Sequence, residues 1–191
     1  MDTYDFVQLA FLAVGGEIHG KTKIQKTVYF LGILTGEIGN VAIGRPGFGY
    51  GPHFYGPYSS EVAGAVGQLH ALGFLDRQVV QTGMTDPQGF EAKRYDFSLT
   101  EVGRRVAKAK AERLREPWNK LQQAAALLRT AGDVDYMKMS IAAKAYFMLG
   151  ARGGSATTGE LAELAPRFGW SVSRDQLGEA AAYLNKLGLA K

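Results

Sequence analysis

The amino-acid sequence predicts an α+β fold, mainly α with a single β-hairpin. Three observations carry this. Apolar residues recur at spacings of three and four over most of the chain, the period of a helix with one buried face. Two neighbouring stretches, "FLDRQVVQTG" and "EAKRYDFSLT", are instead rich in strand formers. Serine or threonine stands just before several of the helical runs, where a hydroxyl can accept from free backbone N–H groups.

Taken in order, residues 4–14 form a short apolar run ending at Gly15-Gly16. "KTKIQKTVYFLGILTG" then sets Ile24, Val28, Leu31 and Leu34 on one face, a helix over 21–35 closed by Gly36. The loop 36–57 is rich in glycine and holds three prolines, with a short extended piece expected around Phe48–Tyr50. A third helix starts at Ser59 or Ser60 and stops at Gly73, which suits the left-handed position after a helix. Val62, Val66, Leu69 and Leu72 are its expected buried stripe.

Strands near 74–82 and 93–99 form the hairpin, joined by a long tip. Thr100 follows as an N-cap, and the next helix runs to about Leu114 before restarting at Pro117, a residue suited to a first turn. "DVDYMKMSIAAKAYFML" is a further helix, and two more follow, capped by Thr157 or Thr158 and by Ser173. "LHALGFL" (69–75) and "LNKLGLA" (184–190) echo one another, which a shared way of ending a helix explains more simply than a duplication.

Helix, helix, helix, hairpin, helix is the order of a winged helix-turn-helix, whose third helix can enter a groove. The expected division is a winged-helix domain over 1–115 and a helical, helix-turn-helix-like domain over 116–191. The stretch "ALGFLDR…KRYDFSLTEVGRRV" is similar to the wing region of MarR- and PadR-type regulators. "GKTKIQKTVYFLG", "FGYGPHFYGPYSSEVAGAVGQLHALGFL" and "FSLTEVG" together resemble the YwgA-like, Panacea-related winged-helix proteins of bacteria and archaea over roughly residues 5–105. The resemblance implies the fold and, for some Panacea relatives, an antitoxin role that includes proteolytic adaptors for a toxin.

Composition narrows the classes. The 191 residues are 46% hydrophobic, enough to bury a core. No apolar run is long enough for a membrane span, and the acidic start does not read as a signal peptide, so a cytoplasmic protein is expected. Without cysteine, thiolate metal sites and cysteine nucleophiles are excluded. The net charge of +4 is uneven: residues 93–129 hold 10 basic and 4 acidic side chains, whereas 61–92 hold 1 and 4. A basic segment of this kind attracts phosphate backbones or simply forms a solvated helix face.

Several motifs compete for a function. "GGEIHGKT", Gly15 to Thr22, fits G-x-x-x-x-G-K-[ST], the pattern of a phosphate-cradling loop. The remaining chain lacks the alternating strands and helices such a fold needs, so nucleotide binding stands as a minor alternative. "GFGYGP" is not a dinucleotide fingerprint, and His19, His53 and His70 show no metal-ligand spacing. No nucleophile–base arrangement stands out, so neither an enzyme nor a cofactor is expected.

The first functional expectation is a DNA-binding transcription regulator holding duplex phosphates through Lys21, Lys23, Lys26, Lys93, Arg94, Arg104 and Arg105, with Ser59, Ser60 and Gln68 presented by the third helix. That helix carries no lysine or arginine, and its stripe of Ser60, Gly64, Gly67 and Ala71 suits internal packing or close approach by a partner. The alternative is therefore a protein-interaction module, an antitoxin or adaptor with a partner such as a toxin, using Tyr50, Phe54, Tyr55, Tyr58, Gly64 and Gly67. Two of the four aromatics are expected in the core. The helices near 100–130 are candidates to support a homodimer.

Overall fold

A computed structural model describes residues 1–38, 47–84 and 93–190. The expected tip of the hairpin (85–92) and the first part of the glycine-rich loop (39–46) lie outside the described residues. Among those described, eight α-helices are combined with a three-stranded antiparallel sheet, an α+β architecture.

Helix α1 (Thr3–Ala13) is capped by the Asp2 carboxylate, which accepts from the Asp5 amide at 2.7 Å. A three-residue strand β1 (Glu17–His19) follows, then α2 (Lys21–Thr35). A 3-10 turn at Gly47–Gly49 leads to a single bridge between Gly51 and Tyr58, and α3 spans Ser60–Ala71. Strands β2 (Leu75–Gln81) and β3 (Lys93–Leu99) form the hairpin. The chain then runs through α4 (Glu101–Arg113), α5 (Arg115–Ala131), α6 (Tyr136–Ala151), α7 (Thr158–Leu164) and α8 (Arg174–Lys186).

The sheet order is β1-β3-β2, with Ile18 opposite Phe97 and Arg77 opposite Phe97 on its other side. Strand β1 has no counterpart in the sequence reading. Three residues between Gly16 and Gly20 are too short to show a period, and their pairing is decided by β3 alone. The break between α4 and α5 falls at Leu114 and α5 starts at Arg115, two residues before the expected restart, so Pro117 sits inside the first turn rather than opening it.

One buried cluster runs through the molecule, and it crosses the boundary expected at residue 115. Helix α2 is the reason. Its residues 24–32 are buried, because it packs on α5 and α6 as well as on α1 and the loop before α3. The four-residue apolar face expected for it is therefore too narrow: Gln25, Lys26 and Thr27 are buried with Ile24 and Val28.

On α3 the expected stripe holds for Val62, Val66 and Leu69, but Leu72 is 63% exposed. It is the helix's C-cap, and the chain turns there: the Gly73 amide donates to His70 and the Phe74 amide to Leu69. The same pair of bonds ends α8, where Gly188 donates to Asn185 and Leu189 to Leu184. Gly73 and Gly188 both take the left-handed φ this ending needs (73° and 68°), so the sequence echo is a shared helix ending.

Candidate functional site

The loop before α3 is held from below by α2. Gln25 donates from Nε2 to the Ser59 carbonyl oxygen (2.9 Å) and accepts from the Ser59 amide at Oε1 (3.0 Å), reading one backbone unit with both ends of its side chain. One residue on, Lys26 Nζ donates to the Pro57 carbonyl oxygen at 2.7 Å. The Tyr50 hydroxyl donates to the Gln25 carbonyl oxygen (2.8 Å), and its ring meets Tyr29 at 4.9 Å. Ser59 caps α3 by accepting from the Val62 amide, and its hydroxyl donates to the Phe48 carbonyl oxygen. The "KIQKTVY" and "GYGPHFYGPYSS" stretches are therefore two halves of one bracket that fixes the direction of α3.

This bracket removes three residues from the expected surface sites. Lys26 is 1% exposed and Ser59 is fully buried, so neither reaches a duplex. Burial, with the Lys144 ammonium adding to it, pushes the Lys26 ammonium down to about 7. Tyr50 belongs to the core, where burial pushes its phenol well above the ordinary range. Tyr55 is half-buried with its ring 6.3 Å from Tyr136, whereas Phe54 and Tyr58 remain exposed. The sequence reading missed Gln25, whose buried amide is recognisable only once the loop is seen above it.

The basic residues separate into distinct settings. Lys21 is exposed, with Nζ 4.2 Å from the centre of the Tyr95 ring, and the Arg77 guanidinium lies 5.8 Å from the same ring. Lys93 is exposed at the start of the same strand. Arg94 instead makes two bonds to Asp96, at 2.8 and 2.9 Å, and His19 Nδ1 lies 3.0 Å from that carboxylate. Burial would raise the Asp96 carboxyl, but hydrogen bonds from Arg94 and His19 outweigh it and hold the group below its usual range. Lys23 pairs with Asp133 at 2.8 Å. Arg104 is part-buried and its guanidinium covers the Gly16 backbone, while Arg105 is exposed.

Arg77 was not singled out from the sequence. The hairpin register puts it on the same sheet face as Tyr95, a relation that depends on where the tip turns.

On α3, Ser60, Gly64, Gly67, Gln68 and Ala71 face solvent. A Cβ added at Gly64 or Gly67 would meet nothing within 4 Å, so among the described residues these two positions of the stripe serve no packing. The phosphate-loop pattern is also used differently here. Residues 17–19 inside it pair with β3, Gly20 donates to the Tyr95 carbonyl oxygen, and the Lys21 side chain lies on Tyr95. The backbone between its glycines is thus a strand rather than a cradle of convergent N–H groups.

No protein-family model and no curated protein sequence matches the chain. Among the described residues, no helix is long and apolar enough to cross a membrane.

Proposed function

We propose that the chain is a winged-helix DNA-binding protein acting as a transcription regulator, and that it holds the duplex chiefly through phosphates. The observation that carries this reading is the convergence of Lys21, from the start of α2, and Arg77, from β2, on Tyr95 of the hairpin. The order α1-β1-α2-α3-β2-β3, in which β1 pairs with β3 at the edge of the sheet, supports this reading. Ser60 and Gln68 on the exposed face of α3 supply short polar groups for a groove, and Lys93 extends the basic edge along the wing. Because the cations meet phosphates, affinity falls steeply with salt, and because α3 offers no lysine or arginine to base edges, sequence preference is slight.

Fluorescence anisotropy with a random duplex tests this. Binding is expected at about 50 mM salt and strong weakening at about 200 mM, with Lys21→Ala and Arg77→Ala each lowering the log–log salt slope by roughly 0.9. Absence of binding at the lower salt overturns the reading.

A second reading, an antitoxin- or adaptor-type module with a protein partner such as a toxin, is favoured by a different observation. The face of α3 from Ser60 to Ala71 is exposed, small and without lysine or arginine, and Leu72 and Phe54 are 63% and 60% exposed. Such a face admits another backbone closely. A pull-down from the native host should then recover one dominant protein that Gly64→Gln, which fills the stripe, no longer retains; recovery of nucleic acid alone argues against it.

A further inference from the structure

Away from the hairpin cations, a cavity of about 260 Å³ opens between β1, α2, α5 and α6, with Tyr183 of α8 on one side. Val14, Ile18, Leu128 and Met139 give it an apolar wall. Two hydroxyls interrupt that wall. Thr27 is only 6% exposed, lines the cavity, and makes no side-chain hydrogen bond among the described residues. The Tyr183 hydroxyl likewise has no hydrogen-bond partner among them. The neighbouring polar residues of α2 do have partners, Lys26 on Pro57 and Gln25 on Ser59. Both hydroxyls keep contact with solvent and have no partner among the described residues, so a polar atom of another molecule entering the cavity can take the place of the water they bind.

The charged groups around the mouth are already engaged. Lys23 holds Asp133 at 2.8 Å, His19 lies between Asp96 (3.0 Å) and Glu17 (3.6 Å), and Arg129 donates to the Ala13 carbonyl oxygen at 3.1 Å. A carboxylate or ammonium entering the apolar interior would leave water without a charge partner reserved for it. The Tyr183 phenol, pushed up to about 12 by burial and then by the Asp133 carboxylate, stays protonated and able to donate at neutral pH. The volume far exceeds the ~30 Å³ that one water occupies in the liquid, and it approaches the small end of the range seen for ligand pockets.

We propose that this cavity binds a small, uncharged, largely apolar molecule bearing one carbonyl or hydroxyl oxygen, with that oxygen bonded by Thr27 and Tyr183. The site is independent of the nucleic-acid reading and stands or falls without it.

The test is a titration of the full chain with acetophenone, benzoate and ethylbenzene, followed by protein-observed NMR. Acetophenone should bind saturably, and its Kd should be at least about fivefold lower than that of either other probe, since benzoate brings a charge and ethylbenzene lacks the oxygen. Thr27→Val and Tyr183→Phe, which keep shape and remove one hydroxyl each, should each weaken acetophenone by about three- to tenfold. Ala125→Leu, which fills the cavity, should abolish binding; if that variant does not fold, the two conservative variants decide. No saturable binding of acetophenone overturns the proposal, as does equal binding of ethylbenzene or benzoate, or binding unchanged in both hydroxyl variants.

Discussion

The Lys26 ammonium donates to the Pro57 carbonyl oxygen at 2.7 Å from inside the core, joining the middle of α2 to the proline that precedes α3. The charge that adds to burial in lowering Lys26 is that of Lys144, itself part-buried and lowered by burial. A buried lysine with a carbonyl partner and a neighbouring lysine has a sharp consequence for stability.

The folded chain holds the Lys26 proton less tightly than the unfolded chain does, about 7 against an ordinary 10.5. Between these values the unfolded state binds more protons, so stability rises with pH, and the penalty is present in full below about 7. Above about 10 the buried tyrosines, whose phenols are raised, reverse the trend. Urea denaturation from pH 7 to 9.5 should show the rise, and Lys26→Met should flatten most of it. An unchanged slope in that variant would show that Lys26 is not its source.

Ser59→Ala should destabilise the chain by about 2 kcal/mol, because it removes the cap on the Val62 amide and leaves the buried Phe48 carbonyl oxygen without its donor. Equilibrium unfolding measures this. A change below about 0.5 kcal/mol, the low end for loss of a cap alone, would contradict the bracket described above.

Glycines on two helices should respond in opposite directions. In the first turn of α4, a Cβ at Gly103 would overlap the Phe74 carbonyl oxygen, a backbone atom that cannot rotate away. Gly103→Ala is expected to lose about 3 kcal/mol or more. Gly64→Ala and Gly67→Ala face open space on α3 and should each gain about 0.5–1 kcal/mol through helix propensity. Thermal unfolding of the three variants separates these outcomes.

Trp170 donates from Nε1 to the His53 carbonyl oxygen at 2.6 Å, tying the bracket loop to the turn before α8. Trp170→Phe keeps most of the ring contact with Phe147 and Phe168 but removes that bond. It should cost about 1 kcal/mol and speed hydrogen exchange at the Gly56 amide, which donates to the same carbonyl oxygen. Unchanged exchange would mean that the tie does not restrain the loop.

Much of the architecture was legible because it is written in local chemistry. Thr100, Thr157 and Ser173 accept from the amides three residues on, as their positions before apolar runs imply. Gly73 and Gly188 end their helices by the same pair of bonds. The strand formers in "FLDRQVVQTG" and "EAKRYDFSLT" placed the hairpin, whereas its register, with Leu75 opposite Leu99, is seen only in the fold.

What the sequence could not decide is which side of each residue meets something else. Lys21, Lys23 and Lys26 look alike along the chain, yet one lies on Tyr95 in solvent, one pairs with Asp133, and one is buried under Pro57. Their fates follow from the packing of α2 among α1, α5, α6 and the loop before α3, contacts between segments far apart in the chain. The small stripe on α3 is exposed for the same reason, since among the described residues nothing lies within 4 Å of a Cβ built at Gly64 or Gly67. Helix ends and strand periods depend on neighbours within a few residues, so the sequence by itself determined them. Burial, pairing and the accessible surface depend on long-range packing, and only the tertiary structure decided those.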